Sequence, residues 1–223
     1  MNLPNAITIG RILIAPLIAA LPFIGSPAVR LAAFVIYIVA AVSDYYDGML
    51  ARTRHLETDL GRLLDPLADK VLLFATLIPM FVLMSPADDP FAPSSASFGA
   101  AHAFPFLTPG GIVGLPWWVV GVVLGRELFM TVFRQLAARR GVVIGAIGSA
   151  KWKTGFQAVW VGAAYFWFFA ATLAAARGWD NGAWRSFAYF NAAVGIFTMV
   201  AAVFLTLYSL TIYMKRYGRV LSG

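Results

Sequence analysis

Six runs of apolar residues, each long enough to cross a bilayer as a helix of about 20 residues, occupy most of this 223-residue chain. Their cores lie at 7–25, 29–50, 67–84, 112–137, 155–176 and 187–213. Only 12% of the residues are charged and 61% are hydrophobic, whereas a soluble domain carries about a quarter charged residues. The expected fold class is therefore an all-α integral membrane protein with six transmembrane helices. It is read as a single domain over residues 1–223, because no long internal repeat is present and no soluble stretch is large enough to fold separately.

Alternating crossings put both termini and the links at 51–66 and 138–154 on one side. Of the 17 Lys and Arg residues, only Arg30, Arg177 and Arg185 fall on the other side. By the positive-inside rule, the first side faces the cytoplasm. The formal charge of +7 thus reflects basic residues gathered at segment ends, and no nucleic-acid partner is expected. No basic leader with a small-residue cleavage site precedes the first apolar run, so no signal peptide is expected. The lack of cysteine excludes disulfides and thiolate metal sites. On the outer side, residues 85–111 are rich in Pro, Ser, Ala and Gly without Lys or Arg, and read as an irregular external loop. His102 within it reads as a solvated side chain, since no second ligand stands at metal spacing. Trp117, Trp118, Trp179 and Trp184 flank apolar segments in the manner of an interfacial belt.

The stretch 43–70, SDYYDGMLARTRHLETDLGRLLDPLADK, breaks the apolar pattern with five aspartates, four of which fall in spaced pairs. Asp44 and Asp47 (i,i+3) fall at the cytoplasmic end of the second helix, and Asp65 and Asp69 (i,i+4) at the start of the third. Each pair shares one helix face. Pro66 is tolerated near a helix start, which predicts that Asp65 lies at the helix edge. An ionised carboxylate at membrane depth costs several kcal/mol unless it meets water or a cation. Gly48 and Ala51 continue the face of Asp44 as a stripe of small residues, which permits close approach of a helix or bulky ligand. Arg52 adds a planar fork of donors suited to phosphate oxygens. With only His55 nearby, the donors are all oxygen and favour two hard divalent cations, Mg²⁺ or Mn²⁺, over zinc. Such a pair can clamp a pyrophosphate and stabilise charge on a departing phosphate. Surface ion pairing accounts for Glu57 and Asp59, but helix capping does not require two spaced acidic pairs beside small residues and an arginine. An EF-hand spacing is absent as well.

Asp44, Asp47, Gly48, Ala51, Arg52, Gly61, Asp65 and Asp69 occupy every fixed position of D-x2-D-G-x2-A-R-x8-G-x3-D-x3-D. This pattern resembles the signature of the CDP-alcohol phosphotransferase family. The six-helix reading is similar to that family's membrane fold, so the resemblance covers nearly the whole chain. It implies a transferase that uses a CDP-linked lipid, two divalent metals and an alcohol acceptor, and that releases CMP. Carried onto this chain, it implies that Asp44, Asp47, Asp65 and Asp69 hold the metals and that Asp69 also serves as general base on the acceptor hydroxyl. Gly48, Ala51, Arg52 and Gly61 are implied to accommodate the CDP moiety, with Thr58 as a further hydroxyl contact. Asn5 and Thr8, in the N-A-I-T stretch, resemble residues that close over the nucleotide, with a helix cap as the other reading of these two. The resemblance also implies a homodimer.

The aspartate pattern does not choose the acceptor. Arg126, Glu127, Arg134, Arg139, Arg140, Lys151 and Lys153 bracket the fourth and fifth helices on the metal side. Arg139 and Arg140 read equally well as snorkelling anchors. Arg126 sits inside an apolar run, and Arg134 follows two turns later on a similar face. With Lys151 and Lys153 they make a candidate cationic pocket for the phosphate of a phosphorylated acceptor. The stretch GRELFMTVFRQLAARRGVVIGAIGSAKWKTGFQ and the opening NLPNAITIGR are similar to bacterial members of the family that make phosphatidylglycerophosphate. That likeness implies CDP-diacylglycerol as donor and glycerol 3-phosphate as acceptor, within a bacterial inner membrane among its lipids. Two other readings stay open. One is a sister transferase with inositol phosphate, phosphatidylglycerol or an amino alcohol as acceptor, although a neutral acceptor leaves the cations without a phosphate. The other is a divalent-cation transporter, although a transport pathway needs acidic residues across the membrane and these four gather on one side.

Overall fold

The apolar runs wind into six long helices: α1 (Leu3–Ala20), α2 (Pro27–Thr53), α3 (Asp59–Met84), α4 (Trp117–Arg139), α5 (Gly148–Arg177) and α6 (Gly182–Tyr217). The computed structural model describes residues 3–53, 59–94, 101–142, 144–145 and 148–218, without the side chains of residues 3, 45, 47, 48, 50–53, 59, 60, 62, 63 and 149–151. Prolines set several of the boundaries. The first helix was expected to reach residue 25 but stops at Ala20, where Pro22 opens a 3-10 turn over Leu21–Phe23. Pro27 then occupies the first position of α2, where its missing N–H costs nothing. The fourth helix starts at Trp117 rather than 112, because Pro116 is held in an extended conformation. Asn181 caps α6 by accepting from the Trp184 amide at 2.8 Å.

Five of these helices, α1, α2, α3, α5 and α6, are long and apolar enough to cross a membrane. The fold is thus that of a predominantly helical, multi-pass membrane protein. By this measure α4 does not join them, although its 23 residues span about 35 Å. Arg126, Glu127, Arg134 and Arg139 interrupt its apolar surface.

The segment expected as an irregular external loop is not irregular throughout. Phe106–Thr108 (β1) and Gly111–Val113 (β2) form an antiparallel hairpin, with Phe106 opposite Val113 and Thr108 opposite Gly111. Phe104, Phe106 and Leu115 are buried in the same core as α5 and α6. Phe106 fits because residue 195 of α6 is glycine: a Cβ there would stand 2.4 Å from the ring. The Trp167 indole also donates to the Pro105 carbonyl at 3.1 Å. The Pro, Ser and Gly content concealed this packing, whereas the aromatic side chains of 104–107 drive it by burial. His102, too, is held rather than solvated. Its ring nitrogens lie 2.8 Å from the Ser85 carbonyl and 3.0 Å from the Pro93 carbonyl, at a backbone φ of 62°.

On the other side of the core, Tyr165 of α5 ties three helices together. Its hydroxyl lies 3.1 Å from the Ile18 carbonyl of α1 and 3.3 Å from the Ala75 carbonyl of α3. Helix α1 packs on α2 and α3, while α5 packs on α2 and α6. This arrangement brings α1, α2, α3 and α5 around one polar cavity.

Candidate active site

The cavity has a volume of about 190 Å³, and its lining includes Arg11, Asp44, Asp69, Lys70, Thr76, Glu127, Lys153, Thr154 and Gln157. Arg11 is its fulcrum. It projects from α1 with 2% exposure, and its Nη1 pairs with Asp44 of α2 and with Asp69 of α3, the latter at 3.3 Å. One guanidinium thus joins the two helices that carry the acidic pairs. A buried cation between two carboxylates offsets their mutual repulsion and its own desolvation.

Asp65 is held by the same first helix. The Thr8 hydroxyl lies 2.9 Å from Asp65 Oδ1 and 3.1 Å from the Pro4 carbonyl, so its single proton is shared between them. Asn5 is buried one turn earlier, and Gly61 is buried near the start of α3. Asp65 was expected at the helix edge and is instead inside α3, which begins at Asp59 with Pro66 in its interior. A proline within the first turns removes one ladder hydrogen bond, and here the helix runs on through it.

Asp44, Asp65, Asp69 and Thr8 therefore gather where α1, α2 and α3 meet, with Asn5 and Gly61 about one turn before Thr8 and Asp65 on their helices. The side chains of Asp47, Ala51 and Arg52, and whatever approaches Gly48, lie outside the described residues, as does Thr58 altogether. Among the described residues no group of three carboxylate or histidine side chains is close enough to hold one ion. The donor chemistry nevertheless fits a hard divalent cation. Asp44 and Asp69 already converge on one positive group, and the oxygens around them come from carboxylates and a hydroxyl.

The basic cluster divides in two. Arg126 is buried on α4, donating to Glu127 Oε1 at 2.7 Å and to the Ser209 hydroxyl of α6 at 3.1 Å. Lys153 of α5, also buried, pairs with the same Glu127 oxygen. Arg134 is exposed, donates to the Tyr213 hydroxyl at 3.3 Å and is not among the described lining of the cavity. The side chain of Lys151 lies outside the described residues.

Two features went unrecognised in the sequence. Arg11 falls among the basic residues at segment ends and closes the NLPNAITIGR stretch without a role of its own, although it stands i+3 from Thr8 on the same helical face. Glu127 and Gln157 carried no role, yet both line the cavity. An apolar groove of about 570 Å³ also runs between α2, α5 and α6, from Val42 to Phe34 and Phe190, and shares Tyr37, Ala41 and Ala158 with the polar cavity. The Tyr37 hydroxyl, donating to the Ala158 carbonyl at 2.9 Å, stands where the two spaces adjoin.

Comparison with known proteins matches residues 1–215 to the family model described as CDP-alcohol phosphatidyltransferase. The chain is 33% identical over 164 residues to a protein of Mycobacterium tuberculosis named probable phosphatidylglycerophosphate synthase, covering 72% of this chain and 64% of that one. It is 39% identical over 88 residues to a CDP-diacylglycerol–glycerol-3-phosphate 3-phosphatidyltransferase of Rickettsia bellii, covering 40% of this chain and 48% of the relative. It is 33% identical over 174 residues to the Bacillus subtilis protein of the same name, covering 73% and 75%. The chain thus spans less than two thirds of the first two relatives and three quarters of the third.

Proposed function

The chain belongs to the CDP-alcohol phosphatidyltransferase family, and from that premise we propose that it transfers the phosphatidyl group of CDP-diacylglycerol to glycerol 3-phosphate. The products are phosphatidylglycerophosphate and CMP. The observation that carries this reading is a cavity whose lining brings Asp44 and Asp69 together with Lys153 and Glu127. Relatives named for this reaction support the same choice of acceptor.

Asp69 takes the proton from the C1 hydroxyl of glycerol 3-phosphate. The freed oxygen bonds to the β-phosphorus of the lipid nucleotide, the bond from that phosphorus to the bridging oxygen breaks, and CMP leaves with that oxygen. Two Mg²⁺ or Mn²⁺ ions held by Asp44, Asp47, Asp65 and Asp69 supply, when bound, the positive charge that such a transfer needs at its phosphates. Arg11 orients Asp44 and Asp69, and Thr8 orients Asp65. Gly48, Ala51, Arg52, Gly61, Thr58 and Asn5 surround the CDP moiety. Lys153 and Arg126, together with Arg134 and Lys151, favour an acceptor that carries a phosphate. The lipid-facing groove beside Tyr37 suits an acyl chain, so the donor reaches the cavity from the side while the acceptor comes from water.

On this reading α4 is the sixth crossing, the cavity faces the cytoplasm of a bacterial cell, and two chains pair as a homodimer. The test is CMP release by purified protein in detergent, with CDP-diacylglycerol, Mg²⁺ and a panel of acceptors. Glycerol 3-phosphate should give the fastest release; equal or faster release with inositol phosphate overturns the acceptor.

A further inference from the structure

Beyond the charges that attract a phosphate, the cavity holds a buried amide nitrogen without a partner among the described residues, and a carboxylate with one oxygen engaged. Both ion pairs of Glu127 fall on Oε1. Gln157 is 7% exposed, lies one helical turn beyond Lys153 on α5, and its Nε2 has no partner among the described residues. A buried amide donor without a partner is costly, and such groups in native proteins generally await a ligand or water. Both residues line the cavity that contains Asp69 and Lys153.

We infer that Glu127 and Gln157 read the C2 hydroxyl of the acceptor, the group between the phosphate end and the reacting hydroxyl. A hydroxyl both donates and accepts. It matches a carboxylate acceptor beside an amide donor, and a methylene at the same place matches neither. Glu127 has two tasks: Oε1 keeps Lys153 and Arg126 oriented, and Oε2 accepts a hydrogen bond from the C2 hydroxyl. The pair selects a polyol phosphate over a simple alkyl phosphate, a specificity that cationic residues alone cannot supply. This inference rests on the acceptor assigned above.

The experiment compares glycerol 3-phosphate with 3-hydroxypropyl phosphate, which keeps both ends and lacks the C2 hydroxyl, by the ratio of kcat/KM for CMP release. The wild-type protein should prefer glycerol 3-phosphate by roughly 10- to 100-fold. Gln157→Leu and Glu127→Gln should each shrink that preference to within about threefold, whereas a purely structural defect lowers both rates in common. Should Glu127→Gln lose turnover with both acceptors, Glu127→Asp is read in the same way. A wild-type ratio near one, or an unchanged ratio in the variants, overturns the inference and leaves the transfer reaction standing. No release with either phosphate by the wild-type protein overturns the acceptor assignment itself.

Discussion

Arg11, buried on α1, pairs with Asp44 on α2, 33 residues away in the chain. The same nitrogen reaches Asp69 on α3 at 3.3 Å, so the first helix organises acids contributed by the next two. Replacing Arg11 with Lys keeps the charge but loses the planar guanidinium whose Nη1 reaches both carboxylates. CMP release is expected to fall roughly 10- to 100-fold, the worth of a charge-assisted hydrogen bond. A steady-state assay that finds Arg11→Lys within twofold of wild type removes Arg11 from the site.

Asp69→Asn tests the proposed base. Turnover should drop by about 10²- to 10⁴-fold, the usual contribution of a positioned general base. Binding of the lipid nucleotide, measured by calorimetry in detergent, should persist. Activity within tenfold of wild type assigns the proton to another group.

Chelation tests the all-oxygen donor set. EDTA should abolish CMP release, and Mg²⁺ or Mn²⁺ should restore it. Full activity after exhaustive chelation, with residual metal measured by mass spectrometry, sinks the two-ion proposal.

Lys153 and Arg134 should behave differently, because only Lys153 is in the described lining of the cavity. Lys153→Ala is expected to raise the KM for glycerol 3-phosphate roughly 10- to 100-fold, the cost of losing one charge-assisted contact to a phosphate. Arg134→Ala should raise it less. The opposite order, in acceptor titrations at fixed lipid nucleotide, moves the phosphate toward Arg134.

The β1–β2 hairpin makes a stability prediction. In Gly195→Ala the new methyl group meets the Phe106 ring at 2.4 Å, so the hairpin or α6 must shift. Overpacking of this kind costs about 1–3 kcal/mol. A lower Tm in detergent with unchanged acceptor KM is expected. An unchanged Tm means that Phe106 does not seat on α6.

Membrane class, helix number and the acidic signature were legible because they are local. Apolar length, helical spacing and the run from Asp44 to Asp69 need no knowledge of packing. Local signals misled where a distant partner decides the outcome. Residues 104–107 sit in a stretch with loop-like composition, yet Phe106 is buried because a glycine on α6 receives it. Pro66 suggested a helix edge, yet α3 starts earlier and continues through it.

By itself the sequence determined a chain of membrane-length helices with four aspartates set on helix faces near one end, since periodicity and burial cost act along the chain. Only the tertiary structure decided which cation stands among them. It also decided that Glu127 and Lys153, from α4 and α5, share the cavity with Asp69. Those contacts join residues 26 to 58 positions apart. Helix packing sets such distances, and spacing within a single helix carries no trace of them.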